Sequence, residues 1–415
     1  MVSNLKGKIS KVSEYTIKNP SAIREIMTIV TDYKLHPEKY PRELIYLAGG
    51  WPQDAPPSTL REALSEVIED DNVWVEASRY GATRGQPEFI EGLAEYEKVI
   101  FGRRIYPEEV FVGGGSTELT ATIMTSILDP GDEVILTRPS YLNYERQLQI
   151  ETRLDIKIKR WDIIRNYEFN PSVDNLQNII SNDTKLIFIT TPGNPDSQVF
   201  DDETIEAVVD IAEDKGIWVV IDVAYRAFIF GNYPRYMSRS RRENEIWIAT
   251  LSKEFRIPGW RISYLLLDQE LLKAVETIEQ ARLLCPSRLV QETLTKLFYD
   301  RDKLERTKLD YEETRKKYAN IANYTYEYLV NNIEGLRPIK PTGGFYVFFD
   351  ASRYFPSSKE LCSSLMNEYQ VALVPGFDFG MEGWIRLSFA PLVNDKEKLE
   401  EGLGRIKEFF DSRKG

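Results

Sequence analysis

Short runs in which most positions are apolar alternate, along this chain, with longer stretches in which apolar positions recur every three or four residues. The short runs are VFV (110–112), EVIL (133–136), DIKIKRW (155–161), TKLIFIT (184–190), IWVVI (217–221), IWIA (246–249) and ISYLLL (262–267). Their length and β-branched content predict strands, and the near-absence of polar positions in several predicts burial on both faces. Helical periodicity fills the gaps, as in VDNLQNII (173–180) and residues 202–215. Strand–helix alternation of this kind predicts parallel βαβ units, whose sites lie at the carboxyl ends of the strands.

The flanks read differently. Residues 1–20 are polar, loose or partly helical; SAIREIMTIVTDYK (21–34) predicts an amphipathic helix with Ser21 as N-cap. LIYLA (44–48) predicts a strand, STLREALSEVIED (58–70) a helix and residues 78–100 a loop and a long helix, while RPSYLNYE (138–145) reads as a turn. Helices are expected at 268–284 and 287–333. A smaller α/β unit closes the chain, with strands in RPIKPTGGFYVFFD and WIRLSFAP, a helix at 358–369 and another from 395.

At 415 residues the chain exceeds what one core ordinarily serves, so more than one domain is expected. A hydrophobic content of 42% and charged content of 28% fit a globular protein, and no apolar run is long enough for a membrane helix. The polar start lacks the apolar core of a secretory signal, and two cysteines fit a reducing cytoplasm. A net charge of −12 argues against nucleic acid as a partner. One histidine, His36 in a polar segment, leaves little room for a histidine triad or a metal site. Acid–base chemistry then falls to lysine, tyrosine or carboxylates.

The densest chemistry lies in IATLSKEFRIPGWR (248–261). Lys253 follows a buried strand, where low dielectric lowers an amine's pKa and frees it to form a Schiff base with a carbonyl. Thr250, Ser252 and Arg261 offer the hydroxyls and guanidinium that a phosphate needs, which together suggest pyridoxal 5'-phosphate. Upstream, VFV passes through Gly113-Gly114-Gly115 into a helix starting near Ser116, an order that presents backbone N–H groups to an anion. It is no Walker loop, since no Gly-Lys-Ser/Thr follows. Asp222 ends the strand IWVVI, and a carboxylate there needs a cationic or hydrogen-bonding partner.

The string S-K-x-x-x-x-P-G-x-R resembles the cofactor-lysine signature of the class I/II aminotransferases, a fold-type I pyridoxal-phosphate family, and the likeness spans residues 40–392. The AGGWP segment (48–52) and the S-x-I-R helix are most similar to the 2-aminoadipate, kynurenine and aromatic aminotransferase subgroup. The resemblance implies a seven-stranded, mainly parallel α/β large domain and a smaller α/β C-terminal domain. The boundaries implied are 1–50 for an N-terminal segment packing on the small domain, 51–300 for the large domain and 301–415 for the small one. It implies that Lys253 carries the cofactor, that Asp222 pairs with its ring nitrogen, and that Asn194 and Tyr225 bond its ring oxygen. Tyr141 would stack on the ring, and Gly115, Ser116, Thr117, Thr250, Ser252 and Arg261 would hold the phosphate. Tyr80 would reach the cofactor of a second subunit in a homodimer with shared sites. Gly50, Asn194 and Arg386 would bind the substrate carboxylate, with Arg24 as a clamp from the N-terminal helix.

The implied activity is ping-pong transfer of an amino group between an L-amino acid and a 2-oxo acid such as 2-oxoglutarate. A lyase or decarboxylase on the same fold is the alternative, with an aspartate-specific enzyme or a non-enzymatic regulator behind it. Three departures from the family pattern stand out: Asp196-Ser197 replaces Thr-Gly after Asn194-Pro195, Val223 replaces a glutamate, and Thr117 stands where one aspartate subgroup has lysine. Trp51, Tyr141, Phe345 and the Arg24 helix leave bulky substrate side chains open.

Overall fold

The computed structural model of the chain describes residues 7–20 and 22–413. Its centre is a seven-stranded sheet built from β1 (Val110–Gly113), β2 (Glu133–Arg138), β3 (Lys157–Asp162), β4 (Thr184–Thr190), β5 (Trp218–Asp222), β6 (Glu245–Thr250) and β7 (Ser263–Leu266). The spatial order is β1-β7-β6-β5-β4-β2-β3. Only β7 runs against its neighbours; every other pair is parallel.

Alternation along each strand sends side chains to two different cores. Val219 and Ile221 face one, with Leu60, Phe89, Ile205 and Leu294 from the helices Ser58–Glu69, Pro87–Phe101, Asp202–Lys215 and Arg288–Phe298. Val220, with Phe188 and Ile248, faces the other, with Leu119, Tyr144 and Val275 from the helices Ser116–Ile127, Leu142–Glu151 and Gln269–Arg282. Helices on both faces are why the strands carry apolar residues at successive positions.

A second, antiparallel sheet runs in the order Arg337–Pro338, Tyr346–Asp350, Trp384–Ser388, Val374–Pro375. The short strand Ile45–Tyr46 pairs in parallel with Val371–Ala372. Helix Ala22–Leu35 packs Ile26 and Ile29 against the core that holds Met366, Ala372 and Val374. Among the described residues no helix is long and apolar enough to cross a membrane.

The elements differ from the sequence reading in three places. Residues 287–333 form two helices, Arg288–Phe298 and Arg301–Asn332, because the Asp300 carboxylate accepts the Lys303 amide and starts a new helix. RPSYLNYE is not a turn: helix Leu142–Glu151 begins directly after Tyr141 and buries Leu142, Tyr144 and Leu148. An unanticipated helix, Asp71–Ala77, is capped by Asp70, which accepts the amides of Asn72 and Val73. The polar N-terminal stretch is partly helical as expected, over Lys11–Lys18 with Ser10 as cap. Ser21, expected as a cap, lies outside the described residues.

Candidate active site

Strands β4, β5 and β6 end at Thr190, Asp222 and Thr250, and their carboxyl ends open into a cavity of about 220 Å³. Asp222 is 5% exposed. Its Oδ2 accepts the Tyr144 hydroxyl at 2.6 Å and its Oδ1 the Ala224 amide at 2.9 Å. Tyr144 is held in turn by the Thr190 hydroxyl at 2.9 Å. Burial pushes the Asp222 carboxyl up, while Tyr144, Ala224 and the Lys253 cation pull it back.

Beyond β6, the Thr250 hydroxyl accepts the Ser252 amide and starts the single helical turn Leu251–Glu254, which carries Lys253 to the cavity floor. The Lys253 amine donates to the Gly50 carbonyl at 2.8 Å. Burial, reinforced by the cations Arg261 and Arg386, pushes its pKa down to about 8 against the opposing pull of Asp222. Near neutrality this amine gives up its proton far more readily than a surface lysine.

One side of the cavity is a chain of hydrogen bonds. Arg386, 1% exposed, donates to Asn194 Oδ1 at 2.8 Å and to the Ala48 carbonyl at 2.7 Å. Asn194 Nδ2 donates to the Tyr225 hydroxyl at 3.2 Å, and that hydroxyl shares a 2.8 Å bond with Tyr346. The Arg386 guanidinium lies 4.5 Å from the centre of the Tyr346 ring. Its Nε is buried with no hydrogen-bond partner among the described residues.

The other end suits a phosphate. Helix Ser116–Ile127 begins at Gly115 with no side chain capping its N-terminal amides. Gly115 has φ +144°, and a Cβ there would lie 2.0 Å from Arg261 Nη2, so glycine is what lets the guanidinium close on the loop. The Ser252 hydroxyl is buried without a hydrogen-bond partner among the described residues.

Gly50, Tyr141, Asn194, Asp222, Tyr225 and Lys253 thus line one cavity with Arg386. Ser116, Thr117, Thr250, Ser252 and Arg261 line the end beside the N-terminus of helix Ser116–Ile127. Three expected residues are not there; one is Gly115, which packs against Arg261 just outside the lining. Tyr80 is 81% exposed, and Arg24 is exposed on its helix. Phe345 does not line the cavity either. Strand alternation turns it into the core against Phe228 and Tyr318 and leaves Tyr346 facing the site. Tyr144, Thr190 and Tyr346 were missed. Tyr144 is three residues beyond Tyr141, a spacing that would have exposed it had RPSYLNYE been read as a helix.

At the departure from the Asn-Pro-Thr-Gly pattern, Ser197 takes φ +57°, the region glycine favours. Its hydroxyl accepts the Tyr346 amide at 3.0 Å, which ties the loop to the strand carrying Tyr346. Asp196 is buried, and desolvation raises its carboxyl to about 7.

Comparison with known proteins follows the same lines. The family "Aminotransferase class I and II" matches residues 42–406. An aspartate aminotransferase of Pyrococcus horikoshii is 28% identical over 378 residues, 90% of this chain and 92% of that protein. Aromatic-amino-acid aminotransferase 2 of Thermococcus litoralis is 25% identical over 402 residues, 95% of this chain and 97% of the relative. A solved structure of a Thermus thermophilus aspartate aminotransferase mutant superposes with a TM-score of 0.85 at 25% identity, covering 97% of this chain and 99% of that one. With a lysine, an aspartate and two arginines drawn from separate elements into one cavity, the match over almost the whole length places this chain in the class I and II aminotransferases.

Proposed function

We propose that this aminotransferase binds pyridoxal 5'-phosphate through Lys253 and moves an amino group from an L-amino acid to a 2-oxo acid, 2-oxoglutarate among them, in two half-reactions at one site. The observation that carries the reading is the Lys253 amine, lowered to about 8 and sharing a cavity with the buried Asp222 carboxylate and the buried Arg386 guanidinium. The residues fit the cofactor. Asp222 is a buried acid whose desolvation a cationic ring N–H would relieve. The unpartnered Ser252 hydroxyl, Arg261, Thr250 and the amides of Gly115, Ser116 and Thr117 would hold the phosphate. Tyr141 would stack on the ring, and Asn194 and Tyr225 would bond its oxygen.

Pyridoxal phosphate, when bound, supplies an electron-withdrawing ring that stabilises negative charge at the substrate Cα. The protein does the rest. Arg386, aided by Asn194 and the Gly50 backbone, grips the substrate carboxylate and fixes which bond at Cα faces Lys253. The neutral Lys253 amine is placed to take the Cα proton, and would hand it to the cofactor carbon bonded to the substrate nitrogen. Asp222 would favour a protonated ring nitrogen, and the Tyr144 hydroxyl, by donating to Asp222, favours its ionised form.

The working unit in this reading is a homodimer. Trp74, Val75 and Tyr80 are exposed on a segment fastened to residues 285–288 by the Gly81 amide to Cys285 and by Arg288 to Glu76 at 3.0 Å; Leu283 and Leu284 are exposed beside it. A second copy would cover these side chains and bring Tyr80 to its phosphate. Arg24, three residues before the Met27 that meets Tyr46, would act as a clamp as its helix closes over the substrate. The division into 1–50, 51–300 and 301–415 follows the two sheets, and the unpaired Cys285 and Cys362 suit the cytoplasm. The test is Lys253→Ala. It should lose the visible absorbance of the lysine-bound cofactor and all turnover, while the parent enzyme consumes amino acid and oxo acid in equal amounts. Normal turnover in the variant, or release of ammonia by the parent, would end the proposal.

A further inference from the structure

Two left-handed backbone positions face each other where the loop after β4 meets the antiparallel sheet, and only one of them carries a glycine. Gly344, just before the strand Tyr346–Asp350, has φ +69°, and a Cβ there would lie 3.0 Å from Ser197 Oγ. Ser197, three residues after Asn194, has φ +57° although it bears a side chain and stands where the family pattern has glycine. A serine in that region is held against its own backbone preference, which marks the position as one the surroundings impose.

The serine makes a bridge between the two sheets. Its Oγ accepts the Tyr346 amide at 3.0 Å, and its carbonyl accepts the Thr342 and Gly343 amides at 3.0 and 3.1 Å. Beside it, Gln198 Nε2 donates to the Lys340 carbonyl and the Val199 amide to the Thr342 hydroxyl, both at 2.9 Å. Ser197 and Tyr346 are fully buried, so bulk water cannot replace the hydroxyl on the Tyr346 amide.

That bond closes a circuit around the site. Within the loop, the Ser197 amide donates to the Gly193 carbonyl at 3.1 Å and the Gly193 amide to the Gln198 carbonyl at 2.9 Å, which fixes Asn194 between them. Asn194 holds Arg386 and Tyr225, and the Tyr225 hydroxyl meets that of Tyr346. The Tyr346 backbone then returns to Ser197. Without the serine hydroxyl the circuit opens at the strand that carries Tyr346.

We infer that Ser197 is a positioning residue: its hydroxyl sets where the Tyr346 phenol stands, and through that phenol how strongly Tyr225 bonds the cofactor's ring oxygen. This rests on the aminotransferase reading and deepens it. With the Tyr225 proton given to the cofactor, Tyr346 is the donor in their shared bond, and each bond in such a chain strengthens the next. A displaced Tyr346 leaves more electron density on the ring oxygen and on the nitrogen linked to Lys253, which then holds its proton to higher pH. The Arg386 guanidinium, 4.5 Å from the Tyr346 ring, loses its platform at the same time.

Ser197→Gly removes the hydroxyl while relieving the left-handed backbone, so it tests the bond without endangering the fold. In the cofactor-free protein, hydrogen exchange at the Tyr346 amide should be at least about tenfold faster than in the parent. In the holoenzyme the pH midpoint of the lysine-bound cofactor's absorbance should rise by about half a pH unit. KM for the amino donor should rise roughly three- to tenfold. Tyr346→Phe should move the midpoint the same way, and adding Ser197→Gly to it should move the midpoint little further. Unchanged exchange would overturn the bridge. A lowered melting temperature with unmoved midpoint and KM, or midpoint shifts that add in full in the double variant, would overturn the positioning role. A parent enzyme with no visible absorbance to titrate would end the cofactor reading and the positioning role with it, while the exchange result still decides the bridge.

Discussion

Replacing Lys253 by methionine should stabilise the cofactor-free protein, and the gain should vanish at high pH. Burial and the cations Arg261 and Arg386 depress the folded-state pKa from 10.5 to about 8. At about 1.36 kcal/mol per tenfold change in proton affinity, forcing a charge on this amine costs about 3 kcal/mol. Because the folded pKa of a base lies below the unfolded one, the unfolded chain holds more protons between pH 8 and 10.5. Stability therefore rises with pH through that window, and the penalty is fully present below it. Methionine keeps the length and removes the charge, but the Gly50 carbonyl loses its donor, which offsets about 1 kcal/mol. The net expectation is about 2 kcal/mol of extra stability at pH 7, shrinking as pH approaches 10.5. Urea unfolding of both proteins, stripped of cofactor and followed by tryptophan fluorescence from pH 6.5 to 11, measures it. A less stable variant at pH 7, or a difference that ignores pH, would show that the amine carries no such burden.

Three further outcomes follow from the same geometry. Tyr144→Phe deletes the 2.6 Å bond to Asp222, so the carboxyl rises further. A bond to a charged group is worth about 1.5–3 kcal/mol, so kcat should fall roughly ten- to a hundredfold with the acid limb of the pH profile moved to higher pH; an unmoved limb would detach Tyr144 from Asp222's ionisation. Arg386→Lys keeps the charge but loses the planar fork, and kcat/KM should drop by about 2–3 kcal/mol, mainly through KM; steady-state kinetics with an unaltered KM would take Arg386 out of the carboxylate site. Gly115→Ala places a Cβ 2.0 Å from Arg261 Nη2 at φ +144°, and equilibrium dialysis should show the cofactor bound at least about tenfold more weakly; undiminished retention would deny Gly115 a place in the phosphate loop.

What could be read from the chain before its structure follows a physical divide. The strands were legible because a sheet covered on both faces demands apolar residues at successive positions, and Lys253, Asp222 and Asn194 were legible because each interrupts the chain where such a run ends. Helix Leu142–Glu151 was not, because Pro139 and a polar face mask a short helix whose burial depends on Leu142, Tyr144 and Leu148 meeting the sheet. Phe345 and Tyr346 were interchanged for a related reason: adjacent aromatics on a strand face opposite ways, and composition cannot say which faces the cavity.

The deepest illegible feature lies under the site. Arg226 and Glu254 directly follow Tyr225 and Lys253, yet their side chains turn away from the cavity into the core. Arg226 meets Glu254 at 2.7 Å and Glu97, from helix Pro87–Phe101, at 2.8 Å, with the Phe101 ring 3.8 Å from its guanidinium. Tyr264 hydroxyl bonds Glu97, and Tyr96 donates to Glu254 at 2.5 Å. Such a network is weak evidence for stability, since desolvating two carboxylates offsets most of the attraction. Its geometric effect is less easily replaced. It fastens the turn after β5 and the turn after β6 to one helix, so Tyr225 and Lys253, on separate strands, have their backbones set by a shared anchor. Chain neighbours that look like ordinary surface charges in a string of letters are, in three dimensions, what holds the Lys253 amine and the Tyr225 phenol in register.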